Sequence, residues 1–246
     1  MTLARRAGAA ALWALAILSL AVVIGLAWTQ QVMPGDRDAA LAAWQNDQVT
    51  ISDTETGILM EPASGATGDG LVFVPGAKVD PYAYLNKLSG MAENGTTVVI
   101  TKPTLNIAFA DVRPLNAFTA VAPNVDTWFV GGHSLGGVKA CQYAADTDVA
   151  GLVLFGSYCA TDLSDSGFPT LSFVASNDGL STPQKIADAA GLLPVDAVTV
   201  DLNGANHANF GDYGRQPGDG ESETNDAEVR KVITDEFGKW HNSLGR

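Results

Sequence analysis

One serine of this chain stands in a glycine-rich stretch that could make it a nucleophile. The stretch is GGHSLGG, residues 131–137, which places Ser134 at the centre of a G-x-S-x-G spacing from Gly132 to Gly136. Strand-like residues precede it and helix-favouring residues follow it. In a sharp strand-to-helix turn the serine hydroxyl is exposed, and glycines on either side permit a close backbone approach. The pattern therefore predicts a reactive serine, although a serine that caps a helix in a glycine-rich loop is the simpler alternative.

A serine hydroxyl becomes nucleophilic when a base takes its proton and a carboxylate orients that base. The chain has three histidines, His133, His207 and His241. His133 adjoins the serine and is expected to point elsewhere, beside the turn or at the pocket rim. His241 lies near the end of a helix, where an exposed or partly covered side chain is expected. His207 follows a predicted strand, where ligand-facing groups of α/β sheets gather, and is the expected base.

The carboxylate of this enzyme type lies between serine and histidine in the chain. Asp178 occurs in the turn SNDG directly after a predicted strand, and we expect it to orient His207. An aspartate beside a glycine is by itself only a turn signal. The competing carboxylates follow an earlier strand, precede the last strand or lie within it: Asp162, Asp165, Asp196 and Asp201.

Two backbone N–H groups should stabilise the oxyanion that forms on attack, one of them from the residue after the nucleophile, Leu135. The second should follow an earlier strand, in the sequence VFVPGAK. Because Pro75 has no N–H, Gly76 or Ala77 must donate, and Ala77 is favoured.

Three further side chains are candidates for contact with a substrate. Lys78 and Lys102 both come just after predicted strands, where they could attract a substrate carboxylate, and His133 could line the pocket rim. Two solvated lysines are the simpler alternative.

The elements that must position these residues alternate between strands and helices. β-rich runs occur at residues 49–52, 57–61, 71–75, 97–101, 127–131, 151–156, 170–175 and 197–202. Helices are predicted over residues 81–91 and from a cap at Asn225, with Glu228 at capping-box spacing. Continuously apolar strands such as TVVI and GLVLF indicate a sheet covered on both faces. The sequence predicts an α/β domain over residues 47–246, with a mostly parallel twisted sheet and helices on both faces.

An apolar run without charges, residues 7–28, precedes this domain. At about 1.5 Å per residue it spans roughly 33 Å, enough to cross a membrane. We therefore expect a signal anchor or signal peptide at residues 1–30, then a linker and short helix at residues 31–46. Arg5 and Arg6 before the run predict a cytoplasmic amino terminus and an exported domain. The triplet Gly25-Leu26-Ala27 leaves cleavage and secretion open.

Charge and cysteine content limit the remaining possibilities. The net charge is −13, with 14 Lys and Arg against 27 Asp and Glu, which argues against nucleic acid as a partner. No CxxC or HExxH spacing occurs, so neither a metal nor another cofactor is expected. Cys141 and Cys159 are either one disulfide or two buried thiols. The oligomeric state stays open.

Several segments together resemble small bacterial α/β-hydrolases of the dienelactone-hydrolase-like kind. These segments are FVPGAKVDPYAY, ITKPTLNIAF, GGHSLGG, SNDGL and NHANFGDYG. The resemblance implies the α/β-hydrolase fold and a serine hydrolase of esters or lactones, with nucleophile, acid and base at Ser134, Asp178 and His207. Dienelactone hydrolases resemble a cysteine-nucleophile pattern, whereas this chain has serine at that position. Many relatives also have histidine where Pro75 stands. Because of these two differences, the lactone substrate stays open.

The spacing of the later strands also bears on function. Residues 156–168 between two predicted strands are too few for a lid domain. An open site suits small or surface-presented esters. The sequence thus predicts a membrane-anchored, extracytoplasmic serine hydrolase that works through an acyl-enzyme. An envelope acyltransferase and a non-catalytic anchored binding module are the alternatives.

Overall fold

A computed structural model describes the backbone of residues 3–245 and the side chains of residues 6–245. Met1, Thr2 and Arg246 lie outside the described residues, and with them the start of the predicted segment 1–30 and the last residue of the predicted domain 47–246. All eight predicted strands form, and they make one sheet in the order β1-β2-β4-β3-β5-β6-β7-β8. The strands are β1 (Val49–Asp53), β2 (Gly57–Pro62), β3 (Asp69–Val74), β4 (Thr97–Thr101), β5 (Thr127–His133), β6 (Gly151–Phe155), β7 (Thr170–Ala175) and β8 (Val198–Leu202). Only the pairs β1 with β2 and β2 with β4 are antiparallel.

The helices begin where the sequence supplies caps. The Asn225 side chain accepts a hydrogen bond from Glu228 N at 2.9 Å, as predicted for the last helix. The predicted helix over residues 81–91 is divided: a 3-10 turn covers Pro81–Tyr84, and an α-helix, Leu85–Glu93, follows with Tyr84 at its N-cap. The α-helices are α1 (Leu3–Thr29), α2 (Arg37–Trp44), α3 (Leu85–Glu93), α4 (Asn116–Thr119), α5 (Leu135–Asp146), α6 (Pro183–Asp188) and α7 (Asp226–Ser243).

The central strands are buried on both faces, which explains their continuous apolar sequences. In β3, Leu71 and Phe73 face one core, whereas Val72 and Val74 face the other. Side chains of successive strand residues point to opposite sides of a sheet, so an apolar run fills two layers. Helices α2, α3 and α7 cover the first layer, and α4 and α5 cover the second.

The parallel strands β3 to β8 end at one edge of the sheet, called here the carboxyl edge. The opposite edge holds a buried pair, in which His241 Nε2 lies 2.8 Å from Asp69 Oδ2. The expectation of an exposed or partly covered His241 is therefore wrong. The end of α7 packs this ring beneath the sheet, where only 6% of the residue is exposed.

Two predictions about the periphery are tested directly. The helix segment Arg6–Thr29 is long and apolar enough to cross a membrane, and its most apolar 18-residue stretch is not buried against the domain. Residues 156–169, between β6 and β7, contain neither helix nor strand, so no lid domain is present among the described residues.

Candidate active site

Ser134 lies at the turn between β5 and α5 in a strained backbone conformation. Its φ is 52° and its ψ −124°, a region that side-chain-bearing residues avoid, at a cost of about 1–3 kcal/mol. The flanking glycines permit the turn, because a Cβ on Gly132 would lie 2.5 Å from the backbone of Gly136. A Cβ on Gly136 would lie 2.1 Å from Val74 O. The sequence prediction of a sharp turn with two close approaches is confirmed.

His207 and Asp178 meet at the carboxyl edge. His207 Nδ1 lies 2.7 Å from Asp178 Oδ2, and both side chains are buried. A carboxylate only accepts, so Nδ1 carries a proton and donates it, and in the tautomer with a single ring proton the lone pair lies on Nε2. Among the described residues His207 Nε2 has no hydrogen-bond partner.

The second oxygen of Asp178 is held by its own loop. Asp178 Oδ1 accepts hydrogen bonds from Leu180 N at 2.8 Å and from Ser181 N at 2.7 Å. With Oδ2 on His207, both oxygens have fixed partners, and this buried carboxylate cannot rotate without losing hydrogen bonds. The loop after β7 therefore fixes the orientation of the imidazole.

No sequence pattern indicates that Asp219 belongs to the site. Its Oδ1 accepts from His207 N and from Gly179 N, both at 3.1 Å, and its Oδ2 accepts from Ala208 N at 2.9 Å. One carboxylate thereby joins the loop that carries His207 to the loop that carries Asp178. The glycine- and aspartate-rich segment 211–220 therefore packs against both loops.

Of the two residues that could supply the second oxyanion donor, only Ala77 remains. Gly76 N donates to the Tyr84 hydroxyl at 2.9 Å, so the prediction that Gly76 could serve is wrong. Within the described part of the chain, neither Ala77 N nor Leu135 N donates to a protein acceptor. Both N–H groups are therefore available to an oxyanion at the carboxyl edge.

The His133 ring is wholly buried behind the elbow, so it packs beside the turn and does not line the pocket rim. Its Nδ1 lies 2.9 Å from the Tyr84 hydroxyl, whose oxygen already accepts from Gly76 and which therefore donates to the imidazole. Burial lowers the pKa of His133 well below its usual value, and the neighbouring His207 adds to the effect. Burial also raises the pKa of Tyr84. A neutral histidine and a protonated tyrosine thus fix the loop before Ala77.

The two lysines that were candidates for substrate contact have other partners. Lys102 forms an ion pair with Asp53 and donates to Thr54 O at 2.7 Å, so it braces the hairpin of β1 and β2. Lys78 Nζ lies 4.0 Å from the centre of the Trp28 ring, at the end of α1. The structure therefore brings neither ammonium group into the arrangement around Ser134.

The loop after β6 contacts the turn that carries Ser134 and the helix that follows it. A disulfide joins Cys141 of α5 to Cys159, with the two Cα atoms 5.6 Å apart. In addition, the Ser157 hydroxyl donates to Ser134 O at 2.7 Å. The strained turn is consequently held by one covalent and one polar contact from the same loop.

Together these loops bring the candidate nucleophile, base and acid, Ser134, His207 and Asp178, to one edge. The His133 ring, one residue before Ser134, lies 4.4 Å from the His207 ring between centroids, so the base stands beside the elbow. Ser134 is partly exposed, whereas its partners are buried. No cluster of three or more potential metal ligands occurs among the described residues. The arrangement can activate a serine hydroxyl toward a carbonyl carbon.

Comparisons with known proteins agree on the fold. The sequence model of the Alpha/beta hydrolase family matches residues 70–231. A crystal structure of the esterase domain from a Rhodothermus marinus protein is similar with a TM-score of 0.58 and 14% identity, over 78% of this chain and 97% of that one. A lid-less α/β serine hydrolase from Xanthomonas campestris has a TM-score of 0.52 and 15% identity, over 78% and 94%. None of the curated proteins matches.

Proposed function

Since the chain belongs to the alpha/beta hydrolase family, we propose that it is a serine hydrolase that cleaves carboxylic esters or lactones. One observation carries the proposal. His207 donates from Nδ1 to a buried Asp178, its Nε2 has no hydrogen-bond partner among the described residues, and its ring lies beside His133, the residue before the strained Ser134. A binding module has no use for this oriented base.

The acylation step follows from the positions of these groups. His207 Nε2 takes the proton of the Ser134 hydroxyl as its oxygen attacks the ester carbonyl. The carbonyl electron pair moves to the oxygen, where Leu135 N–H and Ala77 N–H donate to it. When the carbonyl re-forms, the carbon–oxygen bond to the alcohol breaks, and the alcohol leaves with the proton from His207. The acyl group remains on Ser134.

Deacylation repeats the sequence with water as the nucleophile. His207 Nε2 takes a proton from water, and the hydroxide attacks the acyl carbonyl. Collapse of the second tetrahedral intermediate breaks the bond to Ser134, which recovers its proton from His207. The products are a carboxylic acid and the alcohol, and the protein returns to its starting state. With a lactone, the two products are one hydroxy acid.

The openness of the site favours particular substrates. Ser134 is partly exposed, and residues 156–169 form no lid over it. An acyl or alkyl group therefore meets a surface and not a deep tunnel, which favours short acyl groups or esters presented at a surface. The arrangement fits simple esters and lactones equally well.

We place this activity outside the cytoplasm, on a membrane anchor. The apolar helix Arg6–Thr29 has a length that suits a membrane span. Arg6 at its start and Asp36 with Asp38 after its end favour a cytoplasmic amino terminus and an exported domain. The disulfide between Cys141 and Cys159 agrees with an oxidising compartment. Cleavage after the triplet at residues 25–27 would give a secreted form of the same enzyme.

The test is covalent labelling of the full chain in detergent with a fluorophosphonate, which reacts only with activated serines. We expect labelling of native wild-type protein, and loss of labelling in Ser134→Ala and after heat denaturation. Ser157→Ala serves as a second serine variant that should still be labelled. A folded wild-type protein that resists the probe and hydrolyses no short ester would contradict the proposal and favour a binding module.

Product analysis separates hydrolysis from acyl transfer. With a short ester in water, the expected product is the free acid. An added alcohol should not divert most of the acyl group. If a new ester dominates the products at modest alcohol concentration, the enzyme is an acyltransferase that uses the same serine.

A further inference from the structure

The residues that follow α1 are bound to the carboxyl edge. Asn106 Nδ2 donates to Thr29 O at 3.1 Å, at the end of the helix. Met33 then pairs with Val79: Met33 N donates to Lys78 O at 2.7 Å and Asp80 N donates to Met33 O at 3.0 Å. The linker is therefore an ordered strap and not a free tether.

The strap, residues 28–36, also reaches the loop that follows His207. Asp36 N donates to Asp212 O at 2.6 Å, and Asp212 N donates to Ala83 O at 2.7 Å. Asp212 is buried, and its Oδ1 lies 3.0 Å from the buried Lys87 ammonium group. The strap thus ends on a part of the site edge that is itself fixed by an internal ion pair.

The start of the strap lies close to the oxyanion donor. The Trp28 ring stacks on Lys78, the residue after Ala77, and Thr29 is only 7% exposed. Tryptophan and lysine side chains at a helix end are typical of the layer between membrane and water. The membrane helix therefore leaves the domain at the edge that holds the reactive serine.

A neighbouring loop exposes apolar side chains at the same edge. We call residues 103–112, which follow β4, the apolar loop. Its Leu105, Phe109 and Val112 are exposed, Val112 by 91%. The loop contacts the end of α1 through Asn106, and its residues 108–110 pack against α5, the helix that begins after Ser134. Exposed apolar groups beside a membrane helix are positioned to enter the same bilayer.

Charge does not offer another explanation for membrane contact. The chain carries a net charge of −13, so anionic lipid headgroups repel the domain as a whole. The helix end and the apolar loop must hold the carboxyl edge at the membrane against this repulsion.

We propose that the carboxyl edge faces the membrane in which α1 is inserted, and that the substrate is an ester of a membrane amphiphile, with its carbonyl in the headgroup layer and its apolar part in the bilayer. The proposal deepens the proposed function and rests on it. A serine held at the headgroup layer, without a lid, reaches such a carbonyl without extracting the molecule. Trp28 and the apolar loop form the contact with lipid.

The orientation is tested by a readout that needs no catalysis. The full chain is reconstituted in phosphatidylcholine vesicles, with an environment-sensitive fluorophore attached to Val112→Cys or, as the matched control, to Val195→Cys. Val195 is a fully exposed valine in the loop before β8, at the opposite edge. We expect the emission at position 112 to shift to the blue, as in lipid, and the emission at position 195 to match water. A water-like spectrum at both positions would overturn the orientation.

The substrate class is tested with two esters that share one reacting group. The first is the acetyl ester of umbelliferone, dissolved in water. The second has the same acetyl ester on an umbelliferone ring that also carries a hexadecyl chain, which holds the molecule in the vesicles. Val112→Asp should lower turnover of the bilayer ester about tenfold, through lost apolar contact and added charge. It should leave the soluble ester unchanged, and Val195→Asp should alter neither rate.

The outcomes distinguish this inference from the proposed function. Equal effects of Val112→Asp on both esters, or none on either, would overturn the membrane-presented substrate while the serine hydrolase stands. Failure of wild-type protein to turn over either ester or to react with fluorophosphonate would overturn the hydrolase and its substrate together. Recovery of the native protein from cells wholly in the soluble fraction would overturn the membrane-facing edge.

Discussion

The molecule contains two buried histidine–aspartate pairs, at opposite edges of the same sheet. His207 and Asp178 are 2.7 Å apart at the carboxyl edge, and His241 and Asp69 are 2.8 Å apart at the other. The first pair uses Nδ1 and leaves a buried Nε2 unpartnered beside a strained serine, whereas the second uses Nε2 itself. A buried pair therefore does not by itself mark a catalytic site.

The edges also differ in how the backbone is held. At the carboxyl edge, loops from several strands meet, and Asp219 binds two of them. At the opposite edge, the pair joins the start of β3 to the last turns of α7. The first arrangement positions a reactive group, and the second fastens a terminal helix. Substitutions at the two edges should therefore differ in their effects on catalysis and on stability.

The largest effect should separate the two histidines. His207→Gln should lower kcat for a short ester roughly 10⁴-fold, because no base remains to take the serine proton. His241→Gln should leave kcat within about twofold and lower the free energy of unfolding by about 1–3 kcal/mol, since it breaks a buried hydrogen bond. Ester kinetics and urea titration of both variants measure the difference. Comparable loss of kcat in both would invalidate the division of roles.

The second prediction concerns the covalent support of the elbow. The disulfide closes a loop with a sequence separation of 18, for which chain entropy predicts about 3 kcal/mol of stabilisation. The double variant Cys141→Ala and Cys159→Ala should lose about that much free energy of unfolding. Its kcat should fall less than tenfold, because Ser157 still holds Ser134 O. Unchanged stability would show that the cross-link does not brace this edge.

The third prediction tests the role of Asp219 in positioning the site. Asp219→Ala leaves the N–H groups of His207, Ala208 and Gly179 without their acceptor, so the base and acid loops lose their common fastening. We expect kcat to fall about tenfold while fluorophosphonate still labels Ser134. Asp219→Asn keeps one oxygen and should recover part of the rate. If the Asp219→Ala and Asp219→Asn variants have the same kcat and the same free energy of unfolding, the hydrogen bonds to the carboxylate oxygens have no positioning role.

The smallest effect concerns His133, the buried histidine without a carboxylate partner. Because its folded-state pKa is lowered, the native protein binds fewer protons than the unfolded chain below the ordinary value of 6.5. Stability should therefore fall as the pH drops from about 6.5, by at most about 1.4 kcal/mol per pH unit.

The control for this prediction is His133→Asn. Burial raises the pKa of Asp212, which contributes with the opposite sign, but it does so in both proteins. The difference between wild type and variant across urea titrations at pH 5 and pH 7 isolates His133. A pH-independent difference would mean that the imidazole takes up a proton in the folded protein.

Much of the fold could be predicted from sequence because its signals are local. The continuous apolar strands and the cap at Asn225 each depend on neighbouring residues, and the structure contains them. The serine turn is partly local, since Gly132 is required by the nearby backbone of Gly136, whereas Gly136 is required by Val74 O of β3. The chain order of Ser134, Asp178 and His207 narrowed the choice among several carboxylates, and the structure brings the last two together.

The roles that could not be predicted from sequence depend on contacts between segments that are distant in the chain. Lys102 was assigned to the site edge, yet its partner Asp53 is reached only because β2 runs antiparallel beside β4. Tyr84 lies at a helix start, and no local pattern indicates that its hydroxyl takes the Gly76 N–H. Asp219 stands in a segment whose composition is that of an ordinary connector.

Asp219 also determines when the site becomes complete during biosynthesis. Synthesis runs from the amino terminus, so Ser134 is made before Asp178 and His207, and the loops of these two residues remain unfastened until Asp219 has followed. Ser134 is thus present without its fastened partners while residues 135–219 are added. The proposed hydrolase would therefore gain its activity only when nearly all of the domain has been made.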